Sequence, residues 1–273
     1  MRKTVLASAL IAASAALPTL ASAADEAAAA PAVSPVTGNF SLVSDYRFRG
    51  ISQTKKGPAI QGGIDYAHPS GFYVGTWGSS VNSGSMYAGG AGLELDLYGG
   101  YRGEIVPDLG FDVGYLYYYY SGANMKKNGG PDQKYNNQEI YASLSYAGLT
   151  GKVSYGLSDY FGLNSSSIGY GGGLPANGNS RGTIYYDLSY TREVVEKLNL
   201  IAHVGHTSYA HYGTLDYTDY KLGVTYDLKG WLLGAAYVGN SVKSKGEGFY
   251  TSLDTEGKQL WKDTVVLSVG KTF

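Results

Sequence analysis

The chain has 273 residues, with 21 basic against 22 acidic side chains and no cysteine. That balance offers no electrostatic footprint for a nucleic-acid partner, and the missing thiols exclude disulfides and thiolate metal sites. Beyond the first residues no apolar run approaches the roughly 20 that a spanning helix needs, so a helical membrane bundle is excluded as well. The informative excesses are 40 glycines and 27 tyrosines. A tyrosine has an apolar ring and a polar tip, which suits a boundary between grease and water.

The chain opens with Arg2 and Lys3, an apolar Ala-rich run and Ala21-Ser22-Ala23, the order of a signal peptide cleaved after residue 23. An Ala/Pro-rich segment, 24–37, reads as a flexible lead into a domain over 38–273. The stretch "FSLVSDYRFRGI", 40–51, then alternates. Phe40, Leu42, Ser44, Tyr46, Phe48 and Gly50 fall on one side of an extended strand. Ser41, Val43, Asp45, Arg47 and Arg49 fall on the other.

The pattern recurs in strand candidates at 39–51, 58–67, 71–80, 91–102, 109–120, 138–147, 151–161, 183–191, 198–208, 217–227, 231–240 and 262–273. Most approach the 9 to 11 residues with which a tilted strand crosses a bilayer. Connections alternate between tight ones ("HPSG", "GEIVPD", "AGLT", "REVVEK", "DLKG") and mostly longer ones at 52–57, 81–90, 121–137, 162–182, 209–216 and 241–261. An up-and-down antiparallel barrel of about twelve strands, with both termini at its smooth end, produces this alternation.

Parity gives outward sets Ala91, Leu93, Leu95, Leu97; Ile140, Ala142, Leu144, Tyr146; Ile184, Tyr186, Leu188, Tyr190; and Tyr220, Leu222, Val224, Tyr226. Strands 71–80 and 231–240 are apolar on both parities, which leaves their register open. A soluble barrel or sandwich shares the alternation with its apolar face inward. Three features favour the membrane. Aromatics bracket the strands at two levels: Phe72, Tyr73, Tyr101, Phe111, Tyr146, Tyr190, Tyr226, Trp231 and Phe273 near short turns, and Tyr46, Phe48, Trp77, Tyr117, Tyr119, Phe161, Tyr209, Tyr217, Tyr237 and Trp261 near long loops. The polar face is rich in Gly, Ser and Thr rather than in Lys and Glu. The ending "DTVVLSVGKTF" resembles the C-terminal insertion signal, finishing at Phe273, that the barrel-assembly machinery reads on outer-membrane barrels.

The stretches "SDYRFRGISQT", "PAIQGGIDYAHPSGFYVGTWGSSV" and "LELDLYGGYRG" resemble the TorF-type family of porin-like proteins, and the resemblance runs on through "GLTGKVSYGLSDYFG" to the C-terminal Phe. It implies an outer-membrane barrel with a channel function, among outer-membrane lipids and lipopolysaccharide. It implies no defined solute and no site residues.

Parity directs Asp45, Arg47, Arg49, Asp65, Glu94, Asp96, Arg102, Asp112, Glu139, Lys152, Asp187, His203 and Lys221 into the lumen, where charged side chains select small solutes. Arg47 and Arg49, about 7 Å apart on one strand, are expected to face Glu94 and Asp96 across a constriction. The competing reading is a closed lumen locked by such pairs, a structural or receptor barrel. A lipid-modifying enzyme would need a nucleophile and base, for which His206 and Ser208 supply the form only. His203 and His206 point to opposite faces, which argues against a metal site, and the Gly-rich run 169–178 lacks the strand-to-helix context of a phosphate loop. No cofactor is expected. Lys55, Lys56, Lys126, Lys127, Lys243 and Lys245 read as solvated loop charge.

Overall fold

A computed structural model describes residues 34–82, 90–169, 174–242, 249–250, 256 and 258–273. The expected signal peptide, the lead segment up to residue 33, and Lys243 and Lys245 lie outside these residues. Twelve antiparallel strands close into one barrel: β1 (Val36–Val43), β4 (Ala59–Ala67), β5 (Phe72–Ser80), β6 (Leu93–Val106), β7 (Leu109–Tyr120), β8 (Asn137–Tyr146), β9 (Leu149–Gly156), β10 (Ile184–Val195), β11 (Leu198–Ser208), β12 (Tyr217–Leu228), β13 (Trp231–Asn240) and β14 (Thr264–Thr272). Two short strands, β2 (Arg47–Phe48) and β3 (Ile51–Ser52), pair only with each other.

Closure runs through β1 and β14, where Phe40 lies opposite Lys271 and Leu42 opposite Val269. In hydrocarbon every backbone donor and acceptor must be paired, and a closed sheet has no edge left to satisfy. Both ends of the barrel chain meet at the short-turn side, where Gly38 donates to the Phe273 carbonyl at 2.7 Å. Two of the short turns hold a pair of left-handed residues, Ala147–Gly148 and Lys229–Gly230, as a two-residue hairpin loop requires. At Gly148 an added Cβ would run into the Thr191 carbonyl oxygen, so that turn demands glycine on steric grounds also.

Every barrel strand turns an aliphatic side chain outward: Leu42, Ile64, Val74, Leu97, Val113, Leu144, Val153, Leu188, Val204, Leu222, Leu233 and Leu267 are all exposed. A continuous band of this kind, far larger than the patches soluble proteins expose, requires an apolar surrounding. The two undecided strands follow suit. Phe72 and Val74 of β5 point out while Tyr73 and Ser79 are buried inside, and Trp231, Leu233 and Tyr237 of β13 point out.

The structure corrects the sequence expectations in four places. The first strand ends at Val43 rather than 51, opposite Ala59 where β4 begins, and the chain turns into the barrel although β14 runs on to Thr264. Likewise β9 stops at Gly156, and Tyr160 and Phe161 form an inward 3-10 turn instead of a strand end. Strands β6 and β10 run on to Val106 and Val195, each with a register shift just before the turn. Ala91 precedes β6 and is buried, not outward.

The aromatic belts change most. On the short-turn side Phe72, Tyr101, Tyr146, Tyr226, Trp231 and Phe273 are exposed as expected, but Tyr73 points inward. On the long-loop side Tyr46, Phe48, Phe161, Tyr209, Tyr217 and Trp261 are all buried in the interior, and the exposed outward aromatics there include Tyr119, Tyr155, Tyr186, Tyr220 and Tyr237. The reason is geometric. Twelve strands enclose more volume than wall side chains alone can fill, which is possible at about eight. Inward-folded segments with large rings supply the missing atoms.

Candidate lumen

The inner wall is organised by rows of cross-strand partners. One row reads Arg102 (β6), Asp112 (β7), Ser143 (β8), Lys152 (β9), Asp187 (β10), Gly205 (β11), Asp219 (β12) and Asn240 (β13), each directly opposite the next. Arg102 sits toward the short-turn end of its strand and Asn240 ends its strand on the long-loop side. Barrel strands are tilted, so a row perpendicular to them climbs the wall from one mouth toward the other. Opposite charges stand side by side in it, Arg102 beside Asp112 and Lys152 beside Asp187, at the spacing where cross-strand pairs interact.

Tyrosines serve the carboxylates of this wall. Tyr73 donates to Asp112 at 2.6 Å and also meets the Tyr141 hydroxyl; Tyr98 donates to Asp65 at 2.6 Å; Tyr185 donates to both oxygens of Asp219 at 3.2 Å. Each phenol satisfies a lone pair that burial would otherwise orphan. His203 bridges the row: its Nε2 lies 2.8 Å from Asp219, and its Nδ1 lies 3.2 Å from Asp187 and 3.1 Å from Ser189. Lys221 stands opposite His203 on β12. Arg102 lies over the Tyr73 ring at 4.9 Å, and the Lys152 ammonium is 5.7 Å from the Tyr141 ring centre.

The long-loop half is built differently. Residues 44–57 fold into the barrel as a hairpin around the tight turn Arg49–Gly50, both with positive φ (46° and 79°). Asp45 organises it, accepting from Arg47 Nε at 2.7 Å, Ser52 at 2.6 Å and Thr54 at 3.3 Å. Arg47 also donates to the carbonyls of Gly50, Leu260 and Lys262, each at 3.0 Å. Arg49 reaches the far wall. It is held by both oxygens of Glu139 at 3.0 and 2.8 Å and donates to the Tyr160 hydroxyl at 2.9 Å, and its guanidinium lies 3.9 Å from the Tyr185 ring centre.

The expected opposition of Arg47 and Arg49 to Glu94 and Asp96 is therefore replaced. The arginines are not stacked on one strand; Arg47 stands on β2 and Arg49 in the turn that follows it, and they pair with Asp45 and Glu139. Glu94 is capped by the Tyr46 hydroxyl at 3.2 Å. Glu94 Oε2 and Asp96 Oδ1 have no hydrogen-bond partner among the described residues. Asp219 was absent from the charged residues read off the sequence, although it shares the parity of Lys221 and could have been found by it; Tyr98, Tyr141 and Tyr185 lie on the inward parity of their strands, as the structure has them.

Outside the row, His206 is exposed and hydrogen-bonds Thr218 Oγ1 at 2.9 Å, so the His206–Ser208 arrangement is not the one formed. Among the described residues no group of three or more His, Asp or Glu side chains is placed to hold a metal ion. Of the loop lysines, Lys126 and Lys127 are exposed, whereas Lys55 is buried and pairs with Glu256 at 3.3 Å.

A closed twelve-strand antiparallel barrel with an aliphatic outer face and a charged inner wall is a fold that solved outer-membrane porins also have. The chain is a member of the Gcw_chp family, described as bacterial proteins of unknown function, whose sequence profile matches residues 26–273. Among solved structures it is similar to the KdgM porin (TM-score 0.50, 9% identity, covering 87% of this chain and 98% of that one) and to the NanC porin (0.48, 10%, 87% and 98%). It is also similar to the outer membrane protein Omp33 of Acinetobacter baumannii (0.46, 8%, 88% and 98%). What is shared with the KdgM porin at this identity is the fold. No curated protein sequence matches the chain.

Proposed function

We propose that the protein is an outer-membrane channel for passive diffusion of small polar or ionic solutes. The observation that carries this reading is the charged row from Arg102 to Asp219, which lines the inner wall while the outer wall is aliphatic. A solute crossing the barrel exchanges part of its hydration for such groups. The resemblance to TorF-type proteins points the same way. Asp65, Arg102, Asp112, Lys152, Asp187 and Lys221 are the pore-lining residues of this proposal, with Asp219 added. Its surroundings are outer-membrane lipids and lipopolysaccharide, reached through the assembly machinery that reads the terminal Phe273.

The test is single-channel conductance of the refolded mature protein in a planar bilayer under a salt gradient. Discrete steps, with a reversal potential that moves toward cation preference in Lys152→Glu, support a channel lined by the row. A folded barrel that stays silent in every variant overturns it. The second reading, a closed structural or receptor barrel, is favoured by one observation: residues 44–57 and the turn at 160–162 fill the long-loop half of the interior.

A further inference from the structure

Segment 44–57 is neither wall nor outer loop. It leaves β1 at Ser44, returns to β4 at Ala59, and packs Tyr46, Phe48 and Ile51 inside the barrel. Its longest reach is Arg49, whose guanidinium sits in a box: the Glu139 carboxylate on its edge, the Tyr185 ring at 3.9 Å, and the Phe48 and Tyr160 rings at 4.8 and 5.6 Å. A carboxylate fork with aromatic faces recognises a guanidinium or ammonium group whatever carries it. Arg49 is also held at φ 46°, a conformation that costs a residue with a side chain.

The wall behind the segment is acidic. Glu94 and Asp96, alternate inward positions on β6, are 0% and 1% exposed, and each keeps one oxygen without a partner among the described residues. Asp45 and Arg47 neutralise each other within the segment. The segment also carries Lys55, which pairs with Glu256, and the exposed Lys56, so withdrawing it removes net positive charge, Arg49 included, and leaves Glu94, Asp96 and Glu139 facing the lumen together.

We infer that residues 44–57 form a gate, and that Arg49 is its tethered cation, occupying a site that also takes guanidinium- or ammonium-bearing solutes. Release of Arg49 from Glu139 opens a cation-preferring path past Glu94 and Asp96. The inference rests on the channel reading above and adds to it the gate and the solute class.

Chemical rescue tests it. Wild type, Arg49→Ala and Arg49→Ala/Glu139→Gln are refolded, checked for the heat-sensitive gel mobility of a closed barrel, and recorded in planar bilayers under a potassium chloride gradient. The expected result is larger and longer-lived steps in Arg49→Ala, a reversal potential displaced toward that of potassium, and return to the wild-type level on adding millimolar guanidinium chloride. Sodium chloride at the same concentration has no such effect, and the double variant stays open in guanidinium. Steps identical in wild type and Arg49→Ala would overturn the gate while leaving the channel standing. An open Arg49→Ala that is indifferent to guanidinium, or that prefers anions, would overturn the cation site. If Arg49→Ala fails to fold, Arg49→Gln and Glu139→Gln carry the same comparison. Silence of all folded variants, a deletion of residues 47–52 included, would overturn the channel reading and the gate with it.

Discussion

The two halves of the barrel interior solve the same problem in opposite ways. Toward the short turns, the wall supplies its own contents: Tyr73, Tyr98 and Tyr141 lean across the lumen and bind Asp112, Asp65 and each other. The partners come from strands two or three apart in the sheet. Toward the long loops, the contents are brought in by chain that has left the sheet, with Arg49 bonded to Glu139 ninety residues away and Arg47 to the Leu260 carbonyl. The lesson is that a barrel wall is written in local alternation, whereas its plug depends on side chains that meet only once the sheet has closed.

The largest effect should come from breaking the plug at the buried ion pair that ties it to the barrel wall, Arg49–Glu139. Glu139→Ala strands the Arg49 guanidinium in the interior and should cost about 3–5 kcal/mol in urea unfolding, the range for orphaning a buried charge. Arg49→Ala in the same background should restore much of that loss. A cost no larger than that of a wall substitution would mean that the hairpin leaves freely, and would erase the distinction between the halves.

Next in size is a steric test of the wall. Gly205 lies in the charged row, and a Cβ there would collide with the Tyr185 ring. Gly205→Val should destabilise by about 1–3 kcal/mol through overpacking, measured by the same unfolding. A smaller effect is expected on the short-turn side, where Tyr141→Phe removes a single hydroxyl contact worth about 1 kcal/mol.

The smallest effect concerns the rim. Burial alone would raise the Asp263 carboxyl, but hydrogen bonds donated by the Tyr237 and Tyr220 hydroxyls, at 2.7 and 3.0 Å, hold it below the usual carboxylate range. A depressed folded pKa contributes stability above the unfolded value and loses it as pH falls through the folded one. Wild type should therefore melt slightly above Asp263→Asn at pH 7, with the gap closing on acidification. A gap that widens in acid would contradict the assignment.

How much of this was legible can be said strand by strand. Leu93, Leu97, Ile140, Leu144, Leu188 and Leu222 turn outward as their parity demands, because the period of a strand is two and the surrounding selects one face. The inward positions of Arg102, Asp112, Lys152 and Asp187 follow from the same rule. Their alignment into one row does not, because register across eight strands depends on the length of each turn and on the shifts near Glu104 and Glu193. Tyr46 and Phe48 misled for a related reason. "SDYRFRG" alternates as a strand does, and Arg49–Gly50 is a weak turn signal beside Asn-Gly or Asp-Gly.

The sequence by itself determined the closed antiparallel barrel, its strand number, its smooth and elaborated ends, and, outside β5 and β13, which wall residues face inward. Each of these is a property of two-residue periodicity and of turn chemistry, read over a few neighbouring positions. Only the tertiary structure decided that residues 44–57 enter the lumen, that Arg49 finds Glu139, and that Glu94 and Asp96 lie behind them. Those contacts join residues far apart in the chain, and they exist only because a twelve-strand wall leaves a volume that its own side chains cannot fill.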